Sequence, residues 1–241
     1  MSYTTMQVDV INSEERGCTE TEWLLSKHTY SFGSYHNLKR LNFGTLRVFN
    51  DDIVQPGKGF GTHTHQNMEI ITIVLDGKLE HKDSKGNEGT LEPGDIQRMT
   101  AGSGIEHSEY NGSKEDPARF LQIWVYPKER NLEPSYEQKN IALEDNTLTQ
   151  IVSERPRSEA LTIHQDASFF LGTFDANQTI QHKIRSKAHG VYIFLIGGEV
   201  ELGDKILKAG DSAQITQLDT LELQTLKKAK LLLIEVSVNT L

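Results

Sequence analysis

Cysteine and long apolar runs are both scarce in this chain. The sequence holds one cysteine, Cys18, among 241 residues, so it cannot form an internal disulfide, and a reducing, cytoplasmic compartment is expected. The apolar run Leu231–Ile234 ends at Glu235, whereas a helix that spans a bilayer needs roughly 20 apolar residues. Met1–Thr5 carries neither the basic nor the apolar region of a secretory signal. Membrane-spanning proteins and disulfide-rich secreted proteins are therefore not expected classes.

Clustered positive charge is also lacking. The chain has 34 acidic and 25 basic residues, a formal net charge of −9, and no basic run longer than Lys227–Lys228. Because nucleic-acid affinity depends on Lys and Arg side chains that neutralise phosphates, direct DNA or RNA binding is disfavoured. Binding to a partner protein remains open.

Helical patterns are rare, while strand patterns recur. Ile70–Leu75 is dense in β-branched residues and stops at Asp76–Gly77, a strong turn pair. Three further strand candidates are separated by turn residues: Phe120–Tyr126, Gly190–Ile196 and Lys230–Val238. Ser135–Leu143 is the segment most compatible with a turn of helix. Many short strands between turns predict an all-β sandwich or barrel.

A weak internal repeat indicates that the β-domain is duplicated. The first copy, Ile73–Glu80, is an apolar strand, a glycine turn and a short strand, and Phe194–Glu201 repeats that order. Each copy is followed by a leucine, Leu91 or Leu207, three residues before a Gly-Asp pair. We therefore predict two tandem barrels, in residues 1–130 and 161–241, with residues 131–160 as the connection.

Two short patterns supply candidate metal ligands. His63 and His65 are two residues apart, and so are His107 and Glu109; on a strand, such side chains leave from the same face. If both segments line one barrel, three imidazoles and one carboxylate converge, a set that divalent iron, manganese, nickel, copper and zinc accept. Positions left open for water, O2 or substrate suit catalysis better than a closed structural site.

Either pair alone is typical of a solvated strand face, and only their common context favours a site. Both pairs follow glycines, which permit tight bends and close backbone approach: Gly57, Gly59 and Gly61 before the first, Gly102 and Gly104 before the second.

These stretches resemble the cupin superfamily. Gly57, His63-x-His65 and Glu69 match the start of the first cupin motif, although Gly77 closes it one residue late. The second motif is approximated by Gly104-x-x-His107-x-x-x-Asn111, with Gly102 at a usual proline position. Within the cupins the closest resemblance is to pirins, carried by Trp23–Phe32, Gly59–Thr72, Arg98–Glu109 and Leu121–Trp124.

The resemblance implies a fold of two cupin barrels of the jelly-roll type, with one divalent metal, expected as Fe(II), in the first barrel. Pirins take the carboxylate ligand two positions after the last histidine, here Glu109, whereas typical cupins use the residue equivalent to Glu69. We favour Glu109, which leaves Glu69 as a lining residue, a hydrogen-bonded neighbour of the ligands or a solvated carboxylate. The second barrel lacks the motifs, so His182 and His189 are expected to be surface or core residues.

Pirins of the short bacterial type are associated with quercetin 2,3-dioxygenase activity, so the resemblance implies ring opening of a flavonol-like substrate by O2 with release of carbon monoxide. Glu109 would accept the proton of the substrate hydroxyl as general base. Gln122 would either bond substrate or serve as a structural amide, and a structural role is expected for His28 near the barrel mouth. Two alternatives remain: an iron-dependent redox sensor that acts through a protein partner, and a cupin isomerase or sugar-binding barrel.

Overall fold

The chain folds almost entirely into β-strands. The computed structural model describes residues 6–157 and 159–238. The strands that precede residue 130 are β1 (Gln7–Ile11), β2 (Gly17–Glu20), β3 (Leu24–His28), β4 (Leu46–Val54), β5 (Gly59–His65), β6 (Glu69–Asp76), β7 (Leu79–Asp83), β8 (Glu88–Leu91), β9 (Asp95–Thr100), β10 (Ile105–Asn111) and β11 (Ala118–Val125). A single 3-10 turn, Ser13–Glu15, interrupts the strands of this part.

The remaining strands repeat the pattern. They are β12 (Ser135–Asn140), β13 (Thr149–Ser153), β14 (Leu161–Thr162), β15 (Ala167–Phe174), β16 (Thr179–Lys183), β17 (His189–Gly197), β18 (Glu199–Leu202), β19 (Lys205–Lys208), β20 (Ser212–Thr216), β21 (Thr220–Thr225) and β22 (Ala229–Ser237). All four strands predicted from sequence are present, as β6, β11, β17 and β22, although the predicted strands end one residue beyond β11 and β22. Among the described residues, no helix has the length and hydropathy of a membrane span.

Each half of the molecule is a barrel made from a seven-stranded and a four-stranded sheet. The first barrel combines the order β12-β9-β6-β11-β4-β3-β2 with β5-β10-β7-β8, and the second combines β1-β20-β17-β22-β15-β13-β14 with β16-β21-β18-β19. The matching orders β9-β6-β11-β4 and β20-β17-β22-β15 confirm that the repeat in the sequence is structural.

Strand pairing crosses the predicted domain limits. The N-terminal strand β1 pairs with β20 of the second barrel, while β12 pairs with β9 of the first. The helical turn considered for Ser135–Leu143 is wrong, because β12 completes the edge of a sheet and ladder bonds from β9 override a weak local preference. The division at residues 130 and 160 stays a prediction about folding units.

A continuous hydrophobic core joins the two barrels. Phe49 of β4 packs against Tyr192 and Phe194 of β17, with ring centroids 4.8 Å apart in both pairs. The Arg16 guanidinium lies over the Phe49 and Phe194 rings, and the Thr29 hydroxyl is 2.8 Å from the Tyr192 hydroxyl. The two seven-stranded sheets therefore face each other and bury one face of each.

The interiors of the barrels differ in chemistry. Aliphatic side chains such as Ile193, Leu223 and Leu233 fill the second barrel. The first contains only small apolar clusters together with buried polar side chains, among them His81, Gln97, His107, Glu109 and Gln122. Since buried polar groups are costly unless they are paired or bind a ligand, the first barrel is where a functional site belongs.

Candidate metal centre

The histidines singled out from the sequence meet inside the first barrel. Strands β5 and β10 are antiparallel neighbours, with His63 opposite His107 and His65 opposite Ile105. Ligand atoms of His63, His65 and His107 all lie within 4.8 Å of one another. A β-bulge between His107 and Glu109 shifts the register directly after the third histidine. Two strand segments more than 40 residues apart in sequence thus bring one donor set together.

Of the three histidines in this set, only His107 also belongs to the group of potential ligands that contains Glu109. Its carboxylate, His107 and His81 form a second, overlapping group whose ligand atoms are within 4.8 Å of one another. Glu109 is buried, and Gln122 Nε2 donates to its Oε2 at 2.8 Å. Thr72 Oγ1 lies 3.5 Å from Glu109 Oε1 and 3.0 Å from Gln122 Oε1. Oε1 is therefore the less engaged carboxylate oxygen.

The donor set fits a divalent metal. His107 Nε2 is buried and has no hydrogen-bond partner among the described residues. Burial, reinforced by neighbouring imidazoles, lowers the pKa of His107 to about 3 and that of His65 to about 3. Both rings are therefore neutral at pH 7, with a nitrogen lone pair available to a metal. A buried, unpartnered ring nitrogen is costly in a protein and is explained by a bound cation.

A chain of side chains leads away from His107. Its Nδ1 lies 3.4 Å from His81 Nδ1, and His81 Nε2 lies 3.3 Å from Asp83 Oδ2. Backbone amides of Lys85 and Asn87 donate to Asp83 Oδ1 at 2.9 and 3.0 Å. If His107 binds a metal through Nε2, its Nδ1 carries the proton, so the chain orients the ring and fixes its tautomer.

His81 was missed by the sequence analysis because it has no ligand-spaced histidine partner. The available signal was the pair His81-x-Asp83, which puts two polar side chains on one face of β7. That face is buried, and the His81 ring stacks on Tyr136 with centroids 4.7 Å apart. Tyr136 lies on β12, in the segment for which the sequence analysis considered a turn of helix.

Glu69 has none of the roles considered for it. It is fully buried, and its Oε2 accepts hydrogen bonds from Thr100 Oγ1 at 3.2 Å and from the backbone amide of His164 at 3.1 Å. It lies three residues before Thr72, so the two side chains leave opposite faces of β6. Glu69 therefore faces the second barrel and ties it to the first.

A cavity opens beside the histidines. Its volume is about 190 Å³, below the roughly 300–1,000 Å³ of drug-sized ligand sites. The lining contains His63, His65, Glu109 and Gln122 together with four apolar side chains and six polar ones. The apolar side chains are Leu24, Phe32, Phe60 and Trp124; the polar ones are Thr19, Ser26, His28, Ser34, Asn50 and Asp52.

His28 is a structural residue of this lining, as expected: its ring bonds Asn50 Oδ1 at 2.8 Å and Thr19 Oγ1 at 2.9 Å. His182 and His189 both bond the buried Glu235 of the second barrel, at 2.7 and 2.6 Å. These two are core residues of an ion-pair network.

Two cupin-type barrels joined by a common core define a bicupin, and within residues 6–157 and 159–238 the cluster of potential metal ligands lies in the first barrel. The Pirin family model matches residues 11–125, and the model of the quercetinase C-terminal cupin domain matches residues 150–236. The chain belongs to the pirin family.

Curated relatives and solved structures agree with that assignment. Quercetin 2,3-dioxygenase from Escherichia coli strain K12 is 35% identical over 225 residues, which cover 93% of this chain and 96% of the relative. A pirin-like protein from Caulobacter vibrioides is 36% identical and covers 93% of this chain and 97% of its own length. The crystal structure of the bacterial pirin YhhW from E. coli in complex with nickel(II) is 33% identical. Its TM-score is 0.92, and the match covers 96% of this chain and 99% of that one.

Proposed function

We propose that this protein is a metal-dependent dioxygenase that opens the ring of a flavonol-like substrate with O2 and releases carbon monoxide. The unpartnered, buried Nε2 of His107 within the histidine cluster is the observation that carries the proposal. The relatives named quercetin 2,3-dioxygenase support the reaction class, and the nickel(II) complex of YhhW supports metal binding by this chain. Fe(II) is the metal we propose for this chain.

His63, His65, His107 and Glu109 would hold the ion. When bound, a divalent metal supplies Lewis acidity that lowers the pKa of a substrate hydroxyl and, for iron, a redox-active centre. Three neutral imidazoles and one carboxylate leave a divalent site with a net charge of +1. A flavonol that has lost its 3-hydroxyl proton carries −1. The bound pair is therefore neutral once that proton has passed from the site to solvent, inside a barrel where uncompensated charge is costly.

Glu109 would take that proton. Burial raises the pKa of Glu109, against the lowering effect of His81 and of the hydrogen bond from Gln122, so the carboxylate, once it has partly left the metal, is a better base than an exposed glutamate. Gln122 holds Oε2, and Oε1 has the weaker contact. We therefore assign proton acceptance to Oε1 and a positioning role to Gln122. Phe60 and Trp124 supply apolar walls that keep water from the aromatic substrate.

The test starts from protein purified without oxygen and loaded with Fe(II), Mn(II) or Ni(II), with metal content measured before each assay. Quercetin and O2 are then added, and O2 uptake and carbon monoxide are measured together. We expect one CO released per O2 consumed, activity in at least one metal form, and neither activity nor bound metal in His107→Ala.

Glu109→Gln keeps the side-chain volume but removes the base, and we expect it to lose turnover by a factor of about 10²–10⁴. Thermal melts establish that both variants are folded. Metal-loaded, folded protein that consumes no O2 with quercetin would overturn the proposal, and iron binding without turnover would favour the redox-sensing alternative.

A further inference from the structure

A second polar cluster lines the cavity at a distance from the metal ligands. Ser26 and His28 lie on β3, and Asn50 and Asp52 lie on β4, with Ser26 opposite Asp52 and His28 opposite Asn50 in the ladder. All four side chains line the cavity and are at most 3% exposed. The sequence analysis assigned no binding role to any of them.

Most polar atoms of this cluster are paired with one another. The Ser26 hydroxyl donates to Asp52 Oδ1. His28 Nδ1 bonds Asn50 Oδ1 at 2.8 Å, which makes Nδ1 the protonated ring nitrogen and leaves Nε2 to accept from Thr19 Oγ1. Burial lowers the pKa of His28, so the ring is neutral and this assignment is complete.

Two polar atoms of the cluster are left over. Neither Asp52 Oδ2 nor Asn50 Nδ2 bonds any side chain or backbone group of the described residues. One is a carboxyl oxygen and the other an amide donor, and they belong to residues i and i+2 on one face of β4, so they point to the same side of the strand. The side they share is the cavity, where both atoms can meet a ligand.

The protonation of Asp52 adds a donor to this pair. Burial raises the pKa of Asp52 to about 7, against the hydrogen bond from Ser26, and the nearby carboxylates of Asp51 and Glu109 add to the rise. Near neutral pH the side chain is therefore present in both forms, and Oδ2 can donate to a ligand oxygen or accept from a ligand hydroxyl.

The cluster lies a fixed distance from the proposed base. Asn50 pairs with Gln122 on β11, and Gln122 donates to Glu109. Since neighbouring strands are about 4.8 Å apart, the open atoms on β4 lie roughly one strand spacing beyond Gln122. The apolar rings of Phe60 and Trp124 line the same cavity.

We propose that Asp52 and Asn50 form a second substrate subsite, which binds a phenolic hydroxyl of an aromatic ligand whose other edge meets the metal. The inference rests on the proposed function and deepens it by naming the substrate class. The favoured substrates are polyhydroxylated flavonols, which carry hydroxyls on the rings as well as at the chelating edge. An unsubstituted flavonol offers the chelating edge alone and leaves the subsite empty.

Two probes separate the subsite from the metal edge: quercetin, and 3-hydroxyflavone, which keeps the 3-hydroxy-4-keto edge but has no other hydroxyl. Each is titrated anaerobically into the Ni(II)-loaded protein, with binding followed by the flavonol absorbance and by quenching of tryptophan fluorescence. We expect wild type to bind quercetin about tenfold more tightly than 3-hydroxyflavone, the discrimination expected of one buried hydrogen bond.

Asp52→Leu removes the carboxyl and is expected to abolish that preference, with unchanged affinity for 3-hydroxyflavone. Asp52→Asn is a second variant for the case that Asp52→Leu does not fold, because it keeps the side-chain volume and the hydrogen bond from Ser26. It is expected to lose at least part of the preference for quercetin over 3-hydroxyflavone. Asp51→Asn is the matched control, because Asp51 bonds Arg119 on the other face of β4, and it should preserve both affinities.

The outcomes distinguish the two proposals. A folded Asp52 variant that weakens both probes equally, or neither, overturns the subsite and leaves the dioxygenase proposal intact. Wild-type protein that binds neither probe overturns the proposed function and the subsite with it. Selective loss for quercetin supports the subsite.

Discussion

Replacing His81 with phenylalanine is expected to weaken metal binding without unfolding the protein. Phenylalanine keeps the stacking on Tyr136 but removes both ring nitrogens. His107 Nδ1 therefore loses its contact with His81, and Asp83 loses one of its several hydrogen-bond partners. Asp83 retains the amide bonds from Lys85 and Asn87, so the β7–β8 turn should stay in place.

The magnitude follows from the contact distances. Partners of metal ligands are typically worth 10- to 100-fold in metal affinity. The contacts His107–His81 at 3.4 Å and His81–Asp83 at 3.3 Å are long for hydrogen bonds. We therefore expect the lower end of the range, about tenfold or about 1.4 kcal/mol.

The assay is competition for Ni(II) between the metal-free protein and a chromophoric chelator, with a thermal melt of each metal-free variant. His81→Asn puts an amide oxygen near the position of the lost Nδ1 and is expected to recover part of the affinity, which a merely space-filling role would not predict. His36→Phe, an exposed histidine, serves as the control. Wild-type affinity in folded His81→Phe would refute the orienting role.

Two further predictions concern stability. Gly102→Ala should destabilise the fold by more than the roughly 1–2 kcal/mol of a left-handed non-glycine residue, because φ is +48° and a Cβ would lie 2.0 Å from the Leu132 carbonyl oxygen; urea unfolding measures this. Glu235→Gln should cost about 3 kcal/mol near pH 6, the low end for a broken buried ion pair, and less on either side. Burial raises the pKa of Glu235, but hydrogen bonds from His182 and His189 outweigh it and hold that pKa below its usual range.

The pH window follows from the directions of the two shifts. The lowered pKa of Glu235 gives stability that is present above about pH 4.3 and is lost on further acidification. The hydrogen bond to Glu235, with a contribution from Asp166, raises the pKa of His189, which gives stability below about pH 6.5 that is lost as pH rises through the raised value. A destabilisation that does not change between pH 4 and pH 9 would contradict this account.

Each stability prediction has a matched control. Gly57→Ala introduces the same kind of strain at φ +64°, but a Cβ there has no atom within 4 Å, so it should cost less than Gly102→Ala. Glu199→Gln removes the carboxylate of the surface pair with Lys227 and should change stability far less than Glu235→Gln. Equal losses at Gly57 and Gly102 would remove the steric explanation.

Local sequence patterns were enough to predict the strands and the histidine donors. Ile70–Leu75 and Gly190–Ile196 are β-branched or aromatic runs bounded by turns, and both are strands in the structure. The two-residue spacing of His63 and His65 puts both imidazoles on one side of β5, because alternation along a strand is fixed by backbone geometry. The prediction that His63 and His65 meet His107 required their two strands to be neighbours. The β5–β10 ladder makes them neighbours and brings the three histidines together.

Whether Glu69 or Glu109 lies near the histidines could be decided only from the tertiary structure. Strand β6 is buried from Glu69 to Leu75, so its sequence has no polar alternation to say which face lines the barrel. Packing decides it: Thr72 faces Gln122 and Glu109, and Glu69, an odd number of residues away, faces the second barrel.

By itself, the sequence determined four central strands, the turns beside them, the duplicated fold and the spacing of the histidines, since all of these depend on interactions between near neighbours along the chain. Only the tertiary structure decided that His81 supports His107, that β12 closes the first sheet, and that Asp52 reaches the cavity. Each of those contacts joins strands that are distant in sequence, and their neighbours in a sheet are set by burial of the whole core rather than by any local pattern.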